Sequence, residues 1–255
     1  MTDEHFISTG IEKLDRLLEG GIPKGFTTLL LGTAGSSIEI LVKQIAATGN
    51  VLYLTTDETK EEVVETMERF GWNTQDIEFV DISSKYYQSV LKGENKRVSI
   101  YEQRSKLKLK ELIEIGSTGV PTTNVGEEDF LAILSDKIKK TTSEKKIIIN
   151  SLDFFLSQYP NEEVLNTVYA MKISNLKNRG ALFIVMSKGV HGEVFERKME
   201  GLADCVLELD VIQKGSAFER FLSVKKMRNY AKKIGIARYT IDDSGFVLEM
   251  IERIM

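Results

Sequence analysis

Cysteine is nearly absent from this 255-residue chain, with Cys205 standing alone. One thiol excludes an internal disulfide framework and suits a reducing compartment. Prolines number only three in a chain rich in Lys and Glu, a weak pointer to a thermophilic source. No apolar run approaches the roughly 20 residues that cross a bilayer, so neither a transmembrane helix nor a membrane partner is expected. The amino terminus, "MTDEHFISTG", is acidic and lacks a basic and an apolar segment, so no signal peptide is expected and a cytoplasmic location is. A strong charge of one sign is also missing. The net charge of −4 argues against the whole protein being an electrostatic nucleic-acid binder.

What is present is 42% hydrophobic and 28% charged residues, enough for a sizeable core in one large or two small domains. Apolar runs at 27–32, 50–56, 77–82, 146–151 and 181–187 read as buried strands, because they show little polar alternation. Amphipathic helices are predicted between them at 38–48, 60–70, 127–140 and 162–178. This alternation predicts an α/β fold with a mainly parallel central sheet flanked by helices. After residue 203 the strands crowd together, predicting an antiparallel extension at about 203–250. Residues 83–126, with "KLKLKE" and "GSTGVPTT", are expected to form an irregular excursion. Finding no repeat and no linker, we expect a single domain over 1–255.

The stretch "TTLLLGTAGSSIEILVKQIA" (27–46) runs from an apolar strand through a glycine-containing loop into an apolar-periodic helix. That is the layout of a phosphate-binding P-loop. The loop Gly32, Thr33, Ala34, Gly35, Ser36, Ser37, Ile38, Glu39 does not end in Gly-Lys-Ser/Thr, however.

Three separated motifs carry a family resemblance. "ISTGIEKLDRLLEGGIPKG" (7–25) enters the P-loop strand, "NVLYLTTDETKEEVVETMERFGW" (50–72) follows it, and "ADCVLELDVIQKGSAFERFLSVKKMRNY" (203–230) lies near the end. Together they resemble the KaiC-like branch of the RecA superfamily of P-loop ATPases, over roughly 7–250. The resemblance implies a RecA-like core and a nucleotide site in which Gly32 and Gly35 match the first two loop glycines. Ser37 then stands at the third glycine, Ile38 at the phosphate-binding lysine and Glu39 at the magnesium-binding hydroxyl. Asn150 stands at the metal-orienting aspartate of the later strand, the Walker B position, with Ser151 matching its neighbour. Asp57 and Glu58 fall at the family's acidic pair, one of which polarises the attacking water. An acidic helix start favoured by the dipole is the plain alternative. Lys226 and Arg228 match a Lys-x-Arg element that reaches a neighbouring subunit's γ-phosphate; the alternatives are a solvated basic hairpin or nucleic-acid contact.

The substitutions decide the functional expectation. Losing a charge-assisted phosphate contact costs about 2–3 kcal/mol, roughly 30- to 150-fold in affinity. A carboxylate at Glu39 about 4 Å from a phosphate adds repulsion on the order of 4 kcal/mol per unit charge at an effective dielectric near 20. The resulting site is one unit more negative than an intact one. A degenerate ATPase is therefore expected, acting as a regulatory or protein-interaction module. No cofactor is expected, and ATP with Mg²⁺ would bind only if the altered site still takes it. A weak nucleotide-binding signalling ATPase and a RecA-like DNA-binding protein are the alternatives. The expected partners are copies of the chain itself, in a ring, and an unknown protein, with nucleic acid disfavoured. Glu39 is expected to occupy part of the anion's place, favoured by about 0.3–1 kcal/mol at a helix amino terminus. Ile38 should pack against the sheet. His191 reads as an exposed loop histidine, Cys205 as a core residue, and Trp72 as closing its helix against the sheet.

Overall fold

The computed structural model describes residues 5–92, 128–141, 144–230 and 235–249. Most of the expected excursion at 83–126 lies outside these residues, and its described start, like the rest of 82–92, is helical.

A two-residue antiparallel pair, β1 (Phe6–Ile7) with β2 (Ile22–Pro23), brackets the short helix α1 (Glu12–Leu17). Asp15 holds this entry closed: it accepts hydrogen bonds from the Thr9 N–H (2.8 Å), the Thr9 hydroxyl (2.7 Å) and the Ser8 hydroxyl (2.5 Å). The Ser-Thr-Gly and Leu-Asp of the entry motif are therefore partners across one turn.

The core alternates strand and helix. It runs β3 (Thr27–Gly32), α2 (Ile38–Ala46), β4 (Val51–Thr55), α3 (Lys60–Arg69) and β5 (Ile77–Asp81). Then come α4 (Phe130–Lys139), β6 (Lys146–Asn150), α5 (Asp153–Gln158), α6 (Asn161–Asn178), β7 (Ala181–Ser187) and α7 (Glu193–Leu202). Four strands end it: β8 (Cys205–Lys214), β9 (Ala217–Met227), β10 (Ile236–Asp242) and β11 (Gly245–Glu249). They form one nine-stranded sheet in the order β11-β10-β9-β8-β3-β7-β6-β4-β5. From β8 to β5 every pairing is parallel; from β8 outward to β11 every pairing is antiparallel.

Every residue of β3, β4 and β6 is buried, as continuous apolar runs require when helices cover both faces. Leu30, Tyr53, Ile148 and Phe183 face the cluster formed with α2 and α3; Leu29, Leu31, Ile147 and Ile184 face the cluster formed with α4 to α7. Local signals fix the helix starts. Thr59 and Glu62 form a reciprocal capping box on α3, and the Asp129 side chain caps α4. Cys205 is core, as expected, and Trp72 stacks on Phe70 at 4.6 Å and packs on the sheet cluster. Among the described residues no helix is long and apolar enough to cross a membrane.

Candidate functional site

The carboxyl ends of β3, β4, β6 and β7 lie side by side, with Gly32 registered on Ser187 and Thr55 on Asn150. The loop, the acidic pair and the Walker B position are therefore brought to one edge of the sheet.

From Gly32 the chain turns through Thr33–Ser37 into α2. The turn is closed by the Ser36 N–H on the Thr33 carbonyl (3.0 Å) and anchored to β8 by the Thr33 N–H on the Leu209 carbonyl (3.1 Å). Gly35 and Ser37 both take left-handed backbone, at φ 81° and 55°. Ser37, which stands where the resemblance places a glycine, carries a conformation that suits glycine better. It caps α2 with no side-chain hydrogen bond.

Two groups from the antiparallel strands hold the loop from outside. The Tyr239 hydroxyl donates to the Ser36 carbonyl at 2.6 Å in a buried bond, and Arg220 Nε donates to the Gly35 carbonyl at 3.1 Å. Burial pushes the Tyr239 hydroxyl well above its ordinary range, so it stays a donor.

Ile38 folds back over the strand end. A side chain at Gly32 would meet Ser36 Oγ at 2.7 Å and Ile38 Cδ1 at 3.1 Å, so both side chains would have to shift to admit one. Ile38 joins the sheet cluster, as expected. Glu39 does not behave as expected. It is exposed and accepts no hydrogen bond from any described residue, so it does not stand in for an anion on the loop. At an exposed helix end a carboxylate keeps its hydration and feels the dipole, worth about 0.3–1 kcal/mol, without bonding a loop N–H.

Asn150 is buried, and its amide donates to the Tyr53 hydroxyl at 3.1 Å. Tyr53 is fully buried under α2; burial first, then the Glu58 charge, raises its hydroxyl far above the usual range. Asp57 and Glu58 sit in the turn between β4 and the Thr59 cap, so neither belongs to the first turn of α3, whose acids are Glu61 and Glu62. The two carboxylates diverge. Asp57 accepts the Ser151 hydroxyl at 2.8 Å, and desolvation, with the Asp153 charge, holds its carboxyl above the ordinary value against that bond. Glu58 turns the other way and pairs with Lys43 of α2 at 2.6 Å.

His191 is a second correction. It lies on the loop after β7, but its ring is largely covered and bonds Asp153 at 2.6 Å. Asp153 also accepts the Ser187 hydroxyl at 2.7 Å, which ties α5, β7 and this loop together. Among the described residues no group of three or more His, Cys, Asp or Glu side chains is placed to hold a metal.

Lys226 and Arg228 lie at the other end of the sheet. Lys226 registers on Val206, whereas Gly32 registers on Leu209, nearer the carboxyl ends. Lys226 donates to the Glu200 and Gly201 carbonyls at 2.7 and 3.0 Å, and Arg228 pairs with Asp204 at 3.1 Å. The described cations of the 223–240 stretch are engaged likewise: Lys225 with Glu200 and Glu208, Arg238 with Glu219. Lys232 and Lys233 lie outside the described residues.

Sequence reading had no hold on Lys43, Tyr53, Arg220 or Tyr239. Only Lys43 left a signal, as a lone cation on the core face of the apolar helix "IEILVKQIA".

The sequence matches the family described as "ATPase: KaiC" over residues 7–253. Among curated relatives, a circadian clock protein KaiC2 of Synechocystis is 23% identical over 249 residues, covering 93% of this chain but 39% of that protein. A UPF0273 protein of Thermotoga maritima is 22% identical over 248 residues, covering 95% of both. The fold matches the crystal structure of a KaiC-like protein from Pyrococcus horikoshii OT3 with a TM-score of 0.68, at 17% identity, over 96% of this chain and 99% of that one.

Proposed function

Because the chain belongs to the KaiC family of ATPases, we propose that it keeps the family's core as a regulatory or protein-interaction module whose nucleotide site no longer takes magnesium ATP in the usual mode. One observation carries this reading. At the three altered positions that the resemblance assigns to the phosphate-binding lysine, the magnesium-binding hydroxyl and the metal-orienting aspartate, the group is apolar, negative, or already bonded within the chain. Ile38 packs on Gly32, Glu39 presents a carboxylate, and the Asn150 amide is spent on Tyr53. These residues do not fit a magnesium-bound polyphosphate.

A weak signalling ATPase is the second reading. The loop's retained bend favours it, as does Arg220, whose guanidinium lies at the loop beside the Gly35 carbonyl. A DNA-binding role draws less support, since the described cations of 223–240 are engaged by carboxylates and carbonyls of the same chain. Assembly with copies of itself, as in the rings the resemblance implies, and binding of a further protein belong to the first reading.

Steady-state hydrolysis separates the readings. We expect the purified protein with ATP and Mg²⁺ to release phosphate no faster than buffer. A turnover above buffer that is lost in Glu58→Gln at a temperature where the variant is still folded would establish the ATPase instead.

A further inference from the structure

Lys43 is a charged residue in a place that should hold an aliphatic one. It lies on α2 between Val42 and Ile45, both fully buried, and is itself 1% exposed. An ammonium taken out of water must find an anion or stay uncharged, and an uncompensated one strongly destabilises a fold. Among the described residues, the one side chain that accepts from Lys43 Nζ is Glu58, at 2.6 Å. Glu58 is 29% exposed and belongs to the turn between β4 and α3, not to the helix that carries Lys43.

We propose that Glu58 is an internal counter-ion for Lys43, and that this pair fastens the 56–59 turn to the P-loop helix as a built-in autoinhibitory contact. The inference deepens the closed-site reading and rests on it. A carboxylate engaged by a buried ammonium is not free to polarise a water molecule. The same bond makes the acid-bearing turn and the P-loop helix one unit. The other acid, Asp57, does not replace it, since its carboxylate is turned onto Ser151.

The pair is asymmetric, and the asymmetry gives the test. Removing Glu58 leaves a buried cation with no other bonded carboxylate among the described residues, the exposed Glu62 lying near enough to feel its charge, whereas removing Lys43 leaves a carboxylate that can still hydrate. Thermal melts of the wild type, Glu58→Gln, Lys43→Met and the double variant are compared without nucleotide. Glu58→Gln should lower Tm by on the order of 10 °C. Lys43→Met should lower it much less, and the double variant should melt close to Lys43→Met. Backbone amide exchange in the 56–59 turn should quicken in both single variants. If Glu58→Gln is too unstable to purify, the double variant must restore a folded protein.

An unchanged Tm in Glu58→Gln overturns the assignment. So does a double variant no more stable than Glu58→Gln, or turn exchange unaltered in Lys43→Met. ATP turnover by the wild type would sink the closed-site reading and with it the autoinhibitory role, while the melts and exchange alone decide whether Lys43 and Glu58 are coupled, so the two failures can be told apart.

Discussion

At the scale of single residues, two side chains sit where their chemistry is out of place, and both predict stability changes. Ser37 holds left-handed backbone at φ 55°, which costs a non-glycine residue about 1 kcal/mol or more. Ser37→Gly should therefore raise unfolding free energy by about 0.5–1 kcal/mol after glycine's own entropic cost, as read by urea denaturation. A destabilised variant would mean that Ser37 makes a compensating contact. Lys146, at the start of β6, is buried with its ammonium on the Thr48 hydroxyl, and burial pushes it down to about 8, with the Asp15 charge partly opposing. The unfolded chain, with an ordinary lysine near 10.4, binds the proton more tightly than the folded one between those values. Stability should then rise as pH climbs from about 8 to about 10.4, and below 8 the full penalty, on the order of 3 kcal/mol, applies. Lys146→Met should melt higher than wild type at pH 7, with the difference shrinking toward pH 10.

At the scale of elements, β3, the loop and α2 form a unit supported from outside by β9, β10 and the β4–α3 turn. The bend was legible in the sequence because a glycine ends the apolar strand at Gly32 and a second, Gly35, takes the left-handed backbone three residues on. Its supports were not. Arg220 and Tyr239 reach the loop from strands about two hundred residues later, and Glu58 meets Lys43 only once α2 packs beside the turn. The Glu39 expectation failed for a related reason: dipole attraction was judged without the hydration that an exposed carboxylate keeps. Restoring the three substituted positions together, Ile38→Lys, Glu39→Thr and Asn150→Asp, should raise affinity for labelled ATP by at least tens of fold, since each charge-assisted contact contributes about 2–3 kcal/mol. A folded triple variant that binds no better than wild type would place the obstruction elsewhere, with Tyr53 the first residue to examine.

At the scale of the whole molecule, the parallel core and its antiparallel edge were legible because buried strands write continuous apolar runs and short connections betray hairpins. What the cations of 223–240 do was not. In sequence they form an acid-free basic run, yet those that are described find acids and carbonyls on α7, β8, β9 and the α7–β8 connection. Self-association is expected by light scattering, and a monomer at high concentration would remove any role for Lys226 and Arg228 toward a neighbour. The central claim is that the nucleotide site is closed by the chain's own residues, and titrating wild-type protein with labelled ATP, with and without Mg²⁺, tests it most directly. The account predicts no saturable binding through the millimolar range and no effect of the metal. Saturable, magnesium-dependent binding in the micromolar range would contradict it.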